Sequence, residues 1–357
     1  MDIVPLLETI GEPQAAALAG LLVGVIFGIA AQRSQFCLRA ASVEFARGIL
    51  GRRMSVWLLT FSTAVIWTQA AELSGLINTA DARIMSVPGS YSGAIIGGLM
   101  FGVGMVLARG CSGRLLVLAA TGNLRSVVSG LVFAVVAQMS LHGWLAPLRN
   151  QLAALWITPN GVNIHLLDAM GLPDVTGLLL GIATAALAFY LSWRNRVSWQ
   201  TLFMASGVGF AVALGWATTF ALAAVSFDPV PVVSATFTGP SANTLMFFLT
   251  DNPALDFDIG LVPGVFFGAF LAAAFTGELK IQGFDGPRTM RRSMVGAALM
   301  GMGGMLAGGC AIGAGVTGGS VFALTAWLAL FCMWIGAVIA DLVVDQWEWI
   351  CAPVKAG

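Results

Sequence analysis

Three cysteines in this 357-residue sequence stand where a thiol could do chemistry: Cys37 in Gln35-Phe36-Cys37, Cys111 in Arg109-Gly110-Cys111 and Cys310 in Gly308-Gly309-Cys310. None of the five cysteines forms a Cys-x-x-Cys pair and the two histidines are isolated, so the spacing of a metal site is missing and no cofactor is implied. In apolar surroundings a thiol is expected to stay neutral and to act as a weak S–H donor. Such a soft, polarizable donor suits a sulfur-bearing anion. It suits a metal cation poorly, because metals need thiolates, and phosphate poorly, because phosphate prefers Arg or Lys. Weak donors in series would hold an ion briefly and release it. The plain alternative, a small buried hydrophobe, is preferred for Cys332 and Cys351.

The elements that must position these thiols are helices in lipid. Only 10% of residues are charged, 58% are hydrophobic, and the mean hydropathy is +0.89. A soluble domain carries about 25% charged residues, so this chain is too poor in charge to cover a water-facing surface. With a net charge of zero, nothing points to nucleic acid. A spanning helix needs about 20 apolar residues. Nine stretches qualify, near 14–31, 54–77, 92–108, 126–146, 175–193, 199–223, 259–277, 293–307 and 320–346. The expected fold is an all-α polytopic membrane protein, one transmembrane domain over 1–357.

Placing the N-terminus outside puts 15 of the 17 basic residues on the inner side, leaving only Arg83 and Arg149 outside. By the positive-inside rule that sets N-out and C-in. Several of the inner arginines border the cysteine motifs and are candidates to sit inside the protein.

An internal repeat sharpens the picture. Residues 97–111, GGLMFGVGMVLARGC, align with 296–310, GAALMGMGGMLAGGC, with seven identities that end on Cys111 and Cys310. The two copies lie five spans apart and so cross in opposite directions. This predicts an inverted-topology repeat, about 14–146 against about 199–346, with 175–193 as connector. Such repeats characterise transporters with a site near the midplane. Both copies stop early, which predicts re-entrant half-helices at Ser112–Ala120 and Ala311–Thr317. Gly110, Gly113, Gly309 and Gly313 would permit the breaks, and the helix N-termini would face an anion. The matching inserts are 32–39 after span one and the loop 224–258 after span six. In the latter, Ser241 is expected to cap a helix carrying Asn243. Arg109 and Arg114 read either as inner-side anchors or as groups that draw an anion.

QRSQFCLRA at 32–40, FGVGMVLARGCSG at 101–113, MGMGGMLAGGCAIGAG at 300–315 and GPSANTLMFF at 239–248 resemble the motifs of the YeeE/YedE sulfur-transport family. The resemblance runs through nearly the whole chain. It implies a bacterial inner-membrane protein, not an enzyme, that takes up thiosulfate or a related sulfur anion. Cys37, Cys111 and Cys310 would pass the anion along by transient S–H···S hydrogen bonds. A small TusA-like sulfur carrier on the cytoplasmic side is the implied partner. The sequence departs from the pattern at Arg109, where the family commonly has a small residue, and at Arg114, where glycine is common. Two competing readings are a membrane subunit that recruits a sulfur carrier or senses sulfur compounds without transport, and an intramembrane thiol enzyme. For the enzyme, the sequence offers no Cys-x-x-Cys and no His or Asp pair.

Overall fold

The computed structural model describes residues 10–226, 230–251, 254–284 and 286–346; Cys351 lies outside them. The long helices are α1 (Glu12–Ser34), α3 (Arg52–Leu73), α4 (Tyr91–Leu107), α6 (Leu124–Leu141), α8 (Val175–Arg194), α9 (Trp199–Val225), α11 (Phe257–Phe275), α12 (Pro287–Leu306) and α13 (Leu324–Ala340). Short helices sit between them: α2 (Leu38–Ala46), α5 (Ser112–Ala120), α7 (Ala146–Ala154) and α10 (Thr238–Phe247), with a π-helical turn at Gly313–Gly318. No strand longer than an isolated bridge occurs among the described residues. The protein is an all-α polytopic membrane protein. Among the described residues eight segments are long and apolar enough to cross a membrane, and of the long helices α12 is the exception. Arg288, Arg291 and Arg292 occupy its first turns, so the expected start at 293 is too late and its mean hydropathy falls. The expected span 126–146 also runs too far. His142 ends α6, and a separate helix follows.

Packing pairs the helices in a regular way. α1 packs on α11 and α9 on α3; α4 packs on α13 and α12 on α6; α1 meets α9 and α4 meets α12. The short elements follow suit. α2 touches α3 and α13, while α10 touches α11 and α6. α5 touches α6 and α11, while the Gly313–Gly318 turn touches α13 and α3.

Small residues make the closest of these contacts possible. Gly20, Gly24 and Gly28 on α1 face Gly260, Gly264 and Gly268 on α11 at four-residue spacing. A β-carbon on Gly24 would lie 3.0 Å from the Gly264 Cα and 2.9 Å from the Val265 N. This is the small-xxx-small geometry that lets backbones touch in lipid, where no hydrophobic effect drives helices together.

At the basic end of the bundle, Arg47 grips the fully buried Asp341 through two hydrogen bonds, Nε to Oδ2 at 3.1 Å and Nη2 to Oδ1 at 2.9 Å. The pair ties the end of α2 to the end of α13.

Candidate functional site

Three of the helix breaks share one backbone solution. α1 ends with Gln35 in the left-handed region (φ 55), two residues before Cys37. α4 ends with Arg109 (φ 57), two residues before Cys111, and α12 ends with Gly308 (φ 78), two residues before Cys310. Cys37 and Cys111 then stand in extended conformation at the N-caps of α2 and α5. A left-handed residue just past a helix end lets the following N–H groups close the last turn. Accordingly Gly110 N–H donates to Met105 O at 3.0 Å and Gly309 N–H to Gly304 O at 2.9 Å. These two amides are therefore spent on closing the preceding helices. The break after α4 is held from outside as well. Arg125 is buried at the start of α6, and its Nη1 donates to Ala108 O at 3.1 Å and to Ser293 Oγ at 3.2 Å. This arginine is a structural tie rather than a loop charge.

The breaks bring the thiols together. All three are buried. Cys37 and Cys111 lie within interaction range of one another, and Cys310 lies within electrostatic reach of Cys111. The Gly313 N–H donates to Cys310 Sγ at 3.3 Å. Cys310 Sγ lies 3.9 Å from Thr236 Oγ1. Gly113 and Gly313 are needed for close approach. A β-carbon on Gly113 would stand 2.6 Å from Ile312 Cδ1, and one on Gly313 would strike Thr236 Oγ1. Cys332, by contrast, sits in the core of α13 against Gly98.

A cavity of about 370 Å³ opens beside Cys310, at the end of the bundle away from the basic cluster. Thr236 and Gly313, which contact that thiol, and the adjacent Gly309 line it together with Thr317, Asn243 and Asp258. Exposed Arg83 and half-buried Arg149 also line it. They are the two basic residues that charge counting separated from the rest. Burial lowers the Arg149 pKa, yet a guanidinium does not lose its proton in a protein.

Other sequence candidates fall differently. α10 begins at Thr238 with Phe237 before it, so Ser241 is the fourth residue of the helix and not its cap. Its backbone N–H instead bonds Phe237 O at 3.3 Å. Asn243 reaches the cavity, but its Nδ2 donates to Asp258 Oδ2 at 2.9 Å. Asp258 escaped the sequence reading because an acid in the first turn of a helix is commonplace. The Arg109 side chain is exposed and does not line the cavity. Arg114 is the arginine within electrostatic range of Cys37 and Cys111.

A prediction follows from the backbone at Arg109. A left-handed conformation costs a residue with a β-carbon about 1–2 kcal/mol. Arg109→Gly is expected to raise the melting temperature, for a gain of up to about 1 kcal/mol after the entropy of glycine is subtracted, and to keep transport within about twofold. A fall in transport beyond that, with folded protein, would restore Arg109 as an anion contact.

The sequence family described as Sulphur transport matches residues 33–339. The Thiosulfate transporter TsuA of Spirochaeta thermophila is 29% identical over 332 residues, covering 87% of this chain and 93% of the relative. The Thiosulfate transporter TsuA of Escherichia coli is 26% identical over 355 residues, covering 92% and 94%. Both relatives bear the names of transporters and not of enzymes.

Proposed function

This chain belongs to the sulphur transport family, and from that premise we propose that it carries thiosulfate or a close sulfur anion across a bacterial inner membrane. One observation carries the reading. Cys310 lies beside a cavity lined by Arg83 and Arg149, and the Cys111–Cys37 pair continues from it toward the basic end. An anion drawn to the cavity would meet the Cys310 thiol among Thr236, Thr317 and two glycines. It would then pass to Cys111 and Cys37 by exchange of S–H···S hydrogen bonds, with no bond to sulfur made or broken. The donors are soft and individually weak, so the anion is held without being trapped.

The architecture we infer is an inverted repeat. Exchanging α1, α2, α3, α4, α5 and α6 for α9, α10, α11, α12, the Gly313–Gly318 turn and α13 turns each major contact among these elements into another observed contact, while the connector α8 breaks the symmetry by packing on α3. The positive left-handed φ at Gly122 and at Phe322, each two residues before the next long helix, follows the same exchange. The positive-inside rule supports an N-terminus in the periplasm and a C-terminus in the cytoplasm. A TusA-like sulfur carrier would then collect cargo at the basic end.

The test is uptake of labelled thiosulfate into liposomes that hold the purified chain, with sulfite, sulfate and selenite as competitors. Uptake no greater than in empty liposomes sinks the proposal. Partner capture without flux would favour the recruiting-subunit reading. The mouth makes a further prediction. Neutralising both arginines (Arg83→Gln with Arg149→Gln) is expected to raise the KM about tenfold at low salt, and the gap should narrow at high ionic strength, because steering of a dianion by exposed charges is screened. A KM that is unchanged at low salt would remove the pair from the path.

A further inference from the structure

Arg114 is a half-buried cation that the thiol relay does not use. It stands on the first turn of α5, three residues after Cys111. Its side chain runs back toward the helix N-terminus, as helical side chains do, so that a β-carbon on Gly110 would touch Arg114 Cγ at 3.7 Å. The guanidinium lies within electrostatic range of both Cys37 and Cys111, and of Arg53 and Glu278. Its Nη1 is buried without a hydrogen-bond partner among the described residues.

An unpaired buried donor on a guanidinium is costly, and here the neighbours do not cancel it. The Glu278 carboxylate is already held by Gln32 Nε2 at 2.9 Å and approached by Arg33 at 3.8 Å. Arg53 is turned onto Gln35, at 2.9 Å to its Oε1 and 3.3 Å to its carbonyl. The equivalent position in the second copy of the repeat is Gly313. A guanidinium is thus not required to build this type of break.

Resting on the reading of the chain as an anion carrier, we propose that Arg114 forms a second anion site, inward of the Cys37–Cys111 pair, for which Glu278 is the tethered competitor. A tetrahedral dianion leaving the thiols satisfies the vacant N–H donor. Release follows as the Glu278 carboxylate, freed from Gln32 and Arg33, takes the guanidinium in its place. The site makes specificity depend on charge. A doubly charged sulfur anion competes with a carboxylate for Arg114 better than a singly charged one does.

The experiment is equilibrium binding of labelled thiosulfate to the purified full chain in detergent, with flux into liposomes measured beside it. Arg114→Gly, the residue of the second copy, is expected to weaken binding about tenfold, as loss of a charge-assisted hydrogen bond does. Arg114→Lys should stay within about threefold of the wild type, since it keeps the charge. Glu278→Gln should shift binding the other way and tighten it several-fold while slowing flux. A merely structural role for Arg114 would not produce that opposite sign. If Arg114→Gly and Glu278→Gln both bind within twofold of the wild type, the inner site is wrong even when thiosulfate transport stands. If the binding pattern appears but wild-type liposomes take up no thiosulfate, the inner site stands and the transport reading fails.

Discussion

Alanine at Cys310 or at Cys111 is expected to cut thiosulfate uptake by about 30- to 150-fold while leaving the folded protein intact. The physical reason is that the thiols act in series. An anion that reaches the cavity must exchange water for protein donors, and Cys310, fully buried, meets it there among Thr236, Gly309 and Gly313. Alanine removes the donor and leaves a dry step with nothing to receive charge. Leaving a charged group unpaired in such a place costs about 2–3 kcal/mol, and each 1.4 kcal/mol added to a barrier is about tenfold in rate.

Serine at the same positions keeps an O–H but loses softness and reach, so it should recover only part of the rate. Cys37 lies within interaction range of Cys111, so Cys37→Ala leaves a neighbour that can still receive the anion and is expected to be milder. Cys332→Ala, far from the relay in the core of α13, is the control and should transport normally. The measurement is initial uptake into liposomes at matched protein content. Full activity in both Cys111→Ala and Cys310→Ala would falsify the relay.

Leucine at Gly24 or Gly264 is expected to remove most of the folded protein from the membrane. At this crossing the α1 and α11 backbones touch, and a single β-carbon on Gly264 already falls 3.1 Å from the Gly24 Cα. A leucine must push the helices apart. Overpacking a tight core costs about 1–3 kcal/mol; here the obstruction is backbone, so the upper end or beyond is expected. The consequence reaches the site, because α1 leads into Cys37 and α11 packs on α5, which follows Cys111. Gly130→Ala is the matched control. No atom stands within 4 Å of its would-be β-carbon, and alanine in a helix interior should stabilise by roughly 0.5–1 kcal/mol. Monodisperse elution and melting temperature in detergent report both outcomes. A well-folded Gly24→Leu protein with wild-type melting would mean that the α1–α11 contact is not what holds the bundle.

Parts of this molecule are written locally in the chain and parts are not. The membrane character and most helix limits are local, because burial in lipid demands long apolar runs and charges mark their ends. The start of α5 at Ser112 matches its expectation to the residue, since Arg109-Gly110-Cys111 is a helix stop followed at once by a helix start. Even the correspondence of Cys111 with Cys310 is visible as an aligned string of glycines.

Where local rules competed, they misled. Serine is a favoured N-cap, yet α10 starts at Thr238 because the chain before it is fixed elsewhere, as by the Thr317 Oγ1 hydrogen bond to Ala235 O at 2.6 Å. Hydropathy alone also ran α6 past His142 and began α12 after its arginines.

The sequence by itself therefore determined that three cysteines stand at helix breaks in a polytopic membrane protein, two of them in equivalent places. Only the tertiary structure decided that Cys37 lies within range of Cys111, that Asn243 is spent on Asp258, and that Arg114 lies within electrostatic range of the thiols while Arg109 is exposed. Those are contacts between segments distant along the chain or choices of side-chain direction. They are set by how glycine-lined helices seat against one another, and no periodicity or motif spacing within one segment carries that information.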